Sequence, residues 1–521
     1  MVRSKLKGNF YTPEVLAEWI VFYASKNFTD KIDVLEPSCG NGVFIDTLNN
    51  SGIKINSFDA VELDESAIKL INLPSNIKNI SLIHNDFLNW ETERKYDLVI
   101  GNPPFIVRKL LIKEQADACK AIHIRHGLSD YEVANIWTSF LLKSTTFLKE
   151  DGVLAFVLPT EILQVKYAKE IRSYLYSNFP RIELITFKHI AFDNLEQDTV
   201  VLFAYKKPLN KELGVFIIEV DGIDKLANTI PNFVHLPTSS LDQKWTTGIL
   251  DENDILLVDK LSSKIRKSSY YCTSVAGIVT AANDFFIVNQ DVSEKYRLRN
   301  YSKKIIQKGF YVNGCVDFTS EKFNYLKDKN TPCFLVDTNE INNITAGLAS
   351  YIEYGESQDL KSRYKCKLRK RWHDVPGIKK GEGFFFKRSH DYPKCIKNSA
   401  DVYVTDSAYQ IVMNDGYTID NFIYSFYNSL TLLAAEMQGR FYGGGVLELT
   451  PNEFKNLPIP YMACDNFSDF SNKFENKLSL DEVLANNDKI ILVDQMGLTK
   501  KEVEKLQLSY KKMKARRMRS K

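Results

Sequence analysis

Asn102-Pro103-Pro104-Phe105 follows the apolar run Asp97–Ile100 and a single glycine, Gly101. The two prolines stiffen an extended backbone and remove two donors, while their carbonyls remain as acceptors. Asn102 adds a side-chain carbonyl and an amide, and Phe105 adds an aromatic face. Acceptors beside a flat ring suit the capture of N–H groups. Asn-Pro also starts ordinary turns. Position singles this one out, because it ends a strand-like run and follows two other informative segments.

The first is Glu36-Pro37-Ser38-Cys39-Gly40-Asn41-Gly42-Val43-Phe44. Gly40 and Gly42 allow the backbone to approach a ligand between a strand and a helix N-terminus. The second is Glu62, 20 residues after Gly42, where a carboxylate can accept from two ribose hydroxyls. Together they describe an adenosine-type cofactor without distinguishing one from another. A dinucleotide fold wants a third glycine at position 45, which is Ile45, and a P-loop wants Gly-Lys-Ser/Thr, which is missing. Glu36 repels phosphate and suits a cation, such as the amino group of a methionine moiety.

Alternating elements must position these groups. Asp33–Pro37, Ser57–Leu63, Ile80–Asp86, Tyr96–Ile100 and Gly152–Leu158 read as strands. Val43–Leu48, Glu65–Leu73, Tyr131–Lys149 and Ile162–Asn178 read as helices, and Ile182–Phe187 with Thr199–Tyr205 as a hairpin. This pattern predicts an α/β, doubly wound, mostly parallel sheet with its ligand site outside the carboxyl ends of the strands. Lys206–Asn210 reads as the exit, giving one domain over 1–210 and a mixed α+β region over 211–521.

The 521 residues, 44% hydrophobic and 26% charged, exclude a disordered tail, a collagen and a small disulfide scaffold. The net charge of +3 says little, so its distribution matters. The eight cysteines form no C-x-x-C pair, and a reducing cytoplasm is expected. Met1–Phe10 has no apolar core for a signal peptide, and no apolar run of membrane-spanning length occurs. His123 and His126 lack a third ligand, so no metal is expected. Pro332-Cys333 lies far beyond Asn102–Phe105, and Cys333 and Cys39 are read as packed thiols.

In the order of its motifs the chain resembles the gamma-class N6-adenine DNA methyltransferases of type II restriction–modification systems. Gly8-Asn9-Phe10-Tyr11-Thr12-Pro13 matches that family's Gly-x-Phe-x-Thr-Pro segment, and Glu36–Gly42 its Glu-Pro-x-Cys-Gly-x-Gly turn. Glu62 with Leu63 matches the ribose acid, Asp86-Phe87-Leu88 the segment that receives the cofactor adenine, and Asn102–Phe105 the catalytic tetrad. Phe140 matches an aromatic set against the cofactor ring, and Phe192, ahead of Thr199-Val200-Val201, a second base-stacking aromatic.

The resemblance implies a class I methyltransferase fold, S-adenosyl-L-methionine as cofactor, and Asn102, Pro103, Pro104, Phe105 and Phe192 as catalytic residues. It implies cofactor contacts from Phe10, Tyr11, Thr12, Pro13, Glu36, Pro37, Ser38, Gly40, Gly42, Phe44, Glu62, Leu63, Asp86, Phe87, Asn102, Pro104 and Phe140. Double-stranded DNA is the implied partner. On the same resemblance a separate cognate restriction endonuclease acts on the same site, the enzyme works as a monomer, and it sits with the nucleoid in a prokaryotic cytoplasm. Adenine must leave the duplex to be methylated.

Residues 211–521 are expected to read the target. Gly277–Thr280 with Asn283-Asp284-Phe285, Tyr364–Trp372 and Tyr442–Leu449 resemble segments of the family's recognition domains. Residues 361–380 carry nine Lys/Arg and one acid, Asp374, and Lys511–Lys521 carries seven Lys/Arg and no acid. Both read as nucleic-acid contacts, the second as a tail or a solubilising end. No nuclease signature appears. Two other readings stand beside this one: an N-methyltransferase acting on protein glutamine or on RNA adenine with the same tetrad, and a non-catalytic DNA-binding subunit.

Overall fold

The computed structural model describes residues 11–74, 77, 79–130, 133–187, 199–208, 211–226, 232–236, 244–339, 341, 343–442, 445–475 and 480–518. The chain divides into two compact units, residues 1–252 with 442–444 and 519–521, and residues 253–441 with 445–518.

The first unit holds a nine-stranded sheet in the order β3-β2-β1-β4-β5-β7-β6-β8-β9. Its strands are β1 Ile32–Glu36, β2 Ile55–Glu62, β3 Ile80–His84, β4 Tyr96–Gly101, β5 Leu148–Pro159, β6 Arg181–Phe187, β7 Thr199–Tyr205, β8 Gly214–Val220 and β9 Val234–His235. β3, β2, β1, β4 and β5 run parallel, and β7 enters antiparallel between β5 and β6.

Side chains alternate strictly across this sheet. Val153, Ala155 and Val157 enter one core with Val201, Phe203 and Tyr205. Leu154, Phe156 and Leu158 enter the other with Val200, Leu202 and Ala204. A strand buried on both faces must be apolar at every position, which is why these runs are legible. Helices α1 (Glu14–Ser25) and α2 (Val43–Asn50) cover the first core. Helices α4 (Trp137–Thr146) and α5 (Lys169–Asn178) cover the second. The α/β, doubly wound, mostly parallel class is therefore borne out.

Several element expectations change. The helix expected over Glu65–Leu73 is one turn, Glu65–Ile68. The helix expected from Tyr131 begins at Trp137, because the preceding residues pair backbone to backbone with Ile106–Arg108; Tyr131 and Glu132 lie outside the described residues. The helix expected over Ile162–Asn178 breaks at Val165, where Arg172 Nη1 donates to the carbonyls of Ile162 and Val165 at 2.8 and 3.3 Å. Helix α3 (Lys113–Arg125) went unread, since it buries only Cys119, Ile122 and His123. The sheet also continues beyond the expected exit at Lys206–Asn210, as β8 adds in parallel to the free edge of β6.

The second unit is mixed α+β, as expected. One four-stranded antiparallel sheet joins Cys272–Ala276, Ala408–Met413, Gly383–Phe386 and Cys395–Lys397. A second four-stranded sheet joins Ile287–Val288, Phe334–Val336, Ser302–Ile306 and Tyr403–Val404. Helix α6 (Ser429–Gln438) is buried along its length.

As far as Arg517, the basic C-terminal run is not a solvated tail; Arg519 and Lys521 lie outside the described residues. It lies in helix α7 (Lys500–Arg517), opened by a capping box between Thr499 and Glu502. Val503, Leu506, Tyr510 and Met513 form its buried stripe at helical spacing. Lys511 and Lys514 pair with Asp481 and Asp391 at 3.1 and 2.6 Å. Arg517 is sealed from solvent against Glu436, with Nη2 donating to Oε1 at 2.8 Å and Nε to Oε2 at 2.9 Å. Its Nη1 donates to the carbonyls of His390 and Gly445. Gly445 has φ +77°, and a Cβ there would stand 3.2 Å from the Arg517 carbonyl oxygen. Of the glycine triplet, this residue thus packs on the end of α7, and Gly443 and Gly444 lie outside the described residues.

Removing one member of a sealed ion pair strands the other charge. Arg517→Ala is expected to cost about 3–5 kcal/mol, read as a lowered urea midpoint. Arg517→Met combined with Glu436→Leu should recover most of that loss.

Candidate active site

The parallel strands β1, β2, β3 and β4 deliver their carboxyl ends to one edge of the sheet. Val34 pairs with Phe58 and Leu98, and Leu35 with Asp59 and Val99. That register sets Glu36, Glu62 and Asn102 at neighbouring strand ends. A cleft of about 890 Å³, counting space open to solvent, lies there.

The cleft is lined by Tyr11, Thr12, Glu36, Pro37, Ser38, Gly40, Phe44, Glu62, Leu63, Asp86, Phe87, Asn102, Pro104 and Phe140, among others. Four expected residues do not line it. Pro13 precedes α1 and accepts from the amides of Leu16 and Ala17. Gly42 precedes α2 at φ +84°. Pro103 is buried, and Phe105 packs partly buried on the core that α4 and α5 cover. Phe10 and Phe192 lie outside the described residues.

Hydrogen bonds join the segments. Ser38 Oγ donates to the Asn102 carbonyl at 3.1 Å, tying the glycine turn to the tetrad. The amides of Gly40 and Asp64 donate to the two oxygens of Glu62, each at 2.8 Å. The carboxylate is thereby fixed in orientation, with further lone pairs left for a ligand. Asp86 Oδ1 accepts from the Leu88 amide at 3.0 Å. Phe140 stands 5.1 Å from Phe87, centroid to centroid, and both rings face the cleft from its apolar wall. Gly40 has φ +52°, and a Cβ there would meet the Tyr11 ring at 3.0 Å.

Glu36 is sealed at the end of β1, and its Oε2 has no hydrogen-bond partner among the described residues. Burial, and then the charge of Glu62, hold its carboxyl well above the ordinary carboxylate range. A buried acceptor aimed at a ligand cleft fits a cationic group, and the amide-held Glu62 fits a pair of hydroxyls. The Phe87–Phe140 wall fits a flat ring, and the bare Gly40 lets the Tyr11 ring close over the turn. The residues present therefore fit a ligand with a cation, a diol and a ring.

The thiols are packed, as read. Burial, then Glu36 and Glu62, push Cys39 up, and burial pushes Cys333 up to about 12. His123 Nε2 bonds to Thr138 Oγ1 at 3.0 Å, and His126 Nδ1 to the Ile122 carbonyl at 2.7 Å. Sequence reasoning missed Asn85, Ile106, Gln115 and Ile136 in the lining. Asn85 adjoins Asp86 and was within reach of the motif. Ile106 and Ile136 meet only through backbone pairing, Ile136 N–H to the Ile106 carbonyl at 2.9 Å, and Gln115 lies on the unread α3.

A family model described as Eco57I restriction-modification methylase matches residues 26–192. Another, the C-terminal domain of type II methyltransferase M.Eco57I, matches 242–492. Type II methyltransferase M.CvrRI of Paramecium bursaria Chlorella virus XZ-6E is 34% identical over 324 residues, covering 61% of this chain and 73% of that protein. Type II methyltransferase M.AccI of Acinetobacter calcoaceticus is 24% identical over 474 residues, covering 86% and 84%. Among solved structures, the Type IIL restriction-modification enzyme MmeI in complex with DNA shares the fold at a TM-score of 0.61 and 11% identity, covering 94% of this chain and 74% of that one.

A carboxyl with a raised folded-state value costs stability as pH climbs above the unfolded value of about 4.3, until the folded value is passed. Glu36→Gln removes that slope. The variant is expected to gain stability relative to the parent as pH rises above about 5, read by thermal melts across a pH series.

Proposed function

The chain belongs to the Eco57I restriction–modification methylase family, and from that premise we propose that it is a site-specific DNA adenine methyltransferase. On this reading it acts on N6 of an adenine extruded from duplex DNA, and so protects the host from a cognate endonuclease of the same specificity. The observation that carries the reading is the shared cleft. Asn102 and Pro104 open into the same space as Glu36 and the amide-held Glu62.

Tyr11, Thr12, Glu36, Pro37, Ser38, Gly40, Phe44, Leu63 and Asp86 would hold S-adenosyl-L-methionine, with Glu62 accepting from its ribose hydroxyls and Phe87 and Phe140 packing on its adenine. Once bound, this cofactor would supply an activated methyl group: the C–S bond breaks as the N–C bond forms, the neutral thioether is the leaving group, and the amine nitrogen gives up one proton to water. The lone pair of that nitrogen is delocalised into the ring, which makes it a poor nucleophile. Asn102 accepts one N–H through its side-chain carbonyl, and Pro103 accepts the other through its backbone carbonyl. They favour the tetrahedral, positively charged nitrogen of the transition state, and no covalent enzyme intermediate forms. Phe105 and Phe192 stack on the extruded base. Stacking of ~1–3 kcal/mol per base offsets part of the ~few kcal/mol that extrusion costs.

The second unit, on the same proposal, reads the target. Its basic segment divides by role. Arg369 Nη2 donates to the Thr280 carbonyl at 2.7 Å, and Arg371 Nη2 to that of Thr338 at 2.7 Å, so both hold the segment down. Arg363 Nη1 likewise donates to the Ala281 carbonyl at 3.3 Å, whereas Lys361, Lys365, Lys367 and Lys370 are exposed and make no ion pair among the described residues. They suit phosphates, which position a protein on DNA without reading it.

Long-read sequencing of DNA from cells expressing the chain is expected to show N6-methyladenine in one sequence context. Tritium from labelled cofactor entering protein but not duplex adenine would overturn the reading. Asn102→Ala should abolish transfer while cofactor binding, followed by calorimetry, stays within about threefold. Replacing Lys361, Lys365, Lys367 and Lys370 by Gln should weaken DNA binding on all sequences. It should also flatten the dependence of log K on log salt by ~0.9 for each phosphate that is no longer neutralised.

A further inference from the structure

The chain leaves the cleft lining at Ile106 and returns to it at Gln115. Between them lies Val107-Arg108-Lys109-Leu110-Leu111-Ile112-Lys113-Glu114, directly downstream of the tetrad. A loop there would ordinarily be polar. Here Val107, Leu110 and Ile112 are 39, 50 and 61% exposed, while Leu111 turns inward and packs on the core. Isolated exposed apolar side chains need no explanation, but several within six residues beside a functional cleft do. Arg108, Lys109 and Lys113 are also exposed and make no ion pair among the described residues.

The loop is held in place. Val107 bridges antiparallel to Asn135, and the Arg108 amide donates to the Ala134 carbonyl at 2.9 Å. A single 3-10 turn, Arg108–Leu110, closes on these bonds. The backbone is thus fixed while its apolar side chains face outward.

Apolar tips flanked by cations match one surface well. The cations meet phosphates, and Leu or Ile side chains enter between bases, as protein wedges do when they unstack a duplex. We propose that this loop is the wedge of the reaction: Leu110 and Ile112 occupy the space that the extruded adenine leaves in the duplex, and Arg108, Lys109 and Lys113 grip the backbone around it. The proposal rests on the adenine reading above and adds the element that keeps the base out.

The test uses the full chain and a duplex carrying the site found by methylation mapping. One duplex is fully paired. In the other the target adenine faces an abasic position, so no partner needs to be lost. Leu110→Ser with Ile112→Ser is expected to slow methylation of the paired duplex about tenfold or more and to leave the abasic duplex within about twofold. Leu110→Phe with Ile112→Phe keeps apolar bulk and should retain most activity on the paired duplex. With 2-aminopurine at the target position, the fluorescence rise seen with the parent should be lost in the serine variant.

Equal slowing on both duplexes, or none on either, would overturn the wedge. So would a change in sedimentation that accompanies loss on both, which would mean that a second copy covers the loop. A parent protein that methylates neither duplex would instead defeat the adenine reading, so the two failures are distinguishable. Both serines replace exposed side chains, where substitution seldom disturbs folding.

Discussion

The cleft depends on one constraint, the parallel register that holds β1 between β2 and β4. Three chain segments far apart in sequence end side by side because of it. Glu36 arrives sealed, Glu62 arrives gripped by two amides, and Asn102 arrives bonded through its carbonyl to Ser38. Slipping one strand by a residue would turn the group that it carries to the other face. Two full hydrophobic cores, one on each face of the sheet, oppose such a slip.

Legibility in the sequence followed burial. Strands β1, β4, β5 and β7 are apolar on both faces and announced themselves, and the glycine turn and tetrad marked the edge where they end. The lining residues at strand ends followed from the motifs. The rest depended on bonds that no local pattern records. Ile136 enters the cleft because its amide meets the Ile106 carbonyl, 30 residues away. Helix α3 has a thin buried face, so its period is weak and Gln115 was hidden with it. The break at Val165 is satisfied by a guanidinium that lies seven residues on.

Two basic runs of similar density met opposite fates. The lysines at 361, 365, 367 and 370 stand in solvent, whereas the run from Lys511 to Arg517 is built into helix α7 and includes a sealed ion pair. Charge counting treats them alike. What separates them is the apolar spacing beneath, since Val503, Leu506, Tyr510 and Met513 repeat at helical intervals, while the short helix Tyr364–Lys367 buries one side chain, Cys366. A charged run is best judged by the residues between its charges.

The backbone bonds between Ile106–Arg108 and Ala134–Ile136 have a mechanical consequence. They rivet the segment after the tetrad to the residues that lead into α4, the helix that carries Phe140. Sliding one past the other by a single residue would shift that helix by ~3.3 Å and drag the ring with it. The two walls of the cleft therefore behave as one stiff bracket, and a push on the outer rim is felt at the aromatic floor.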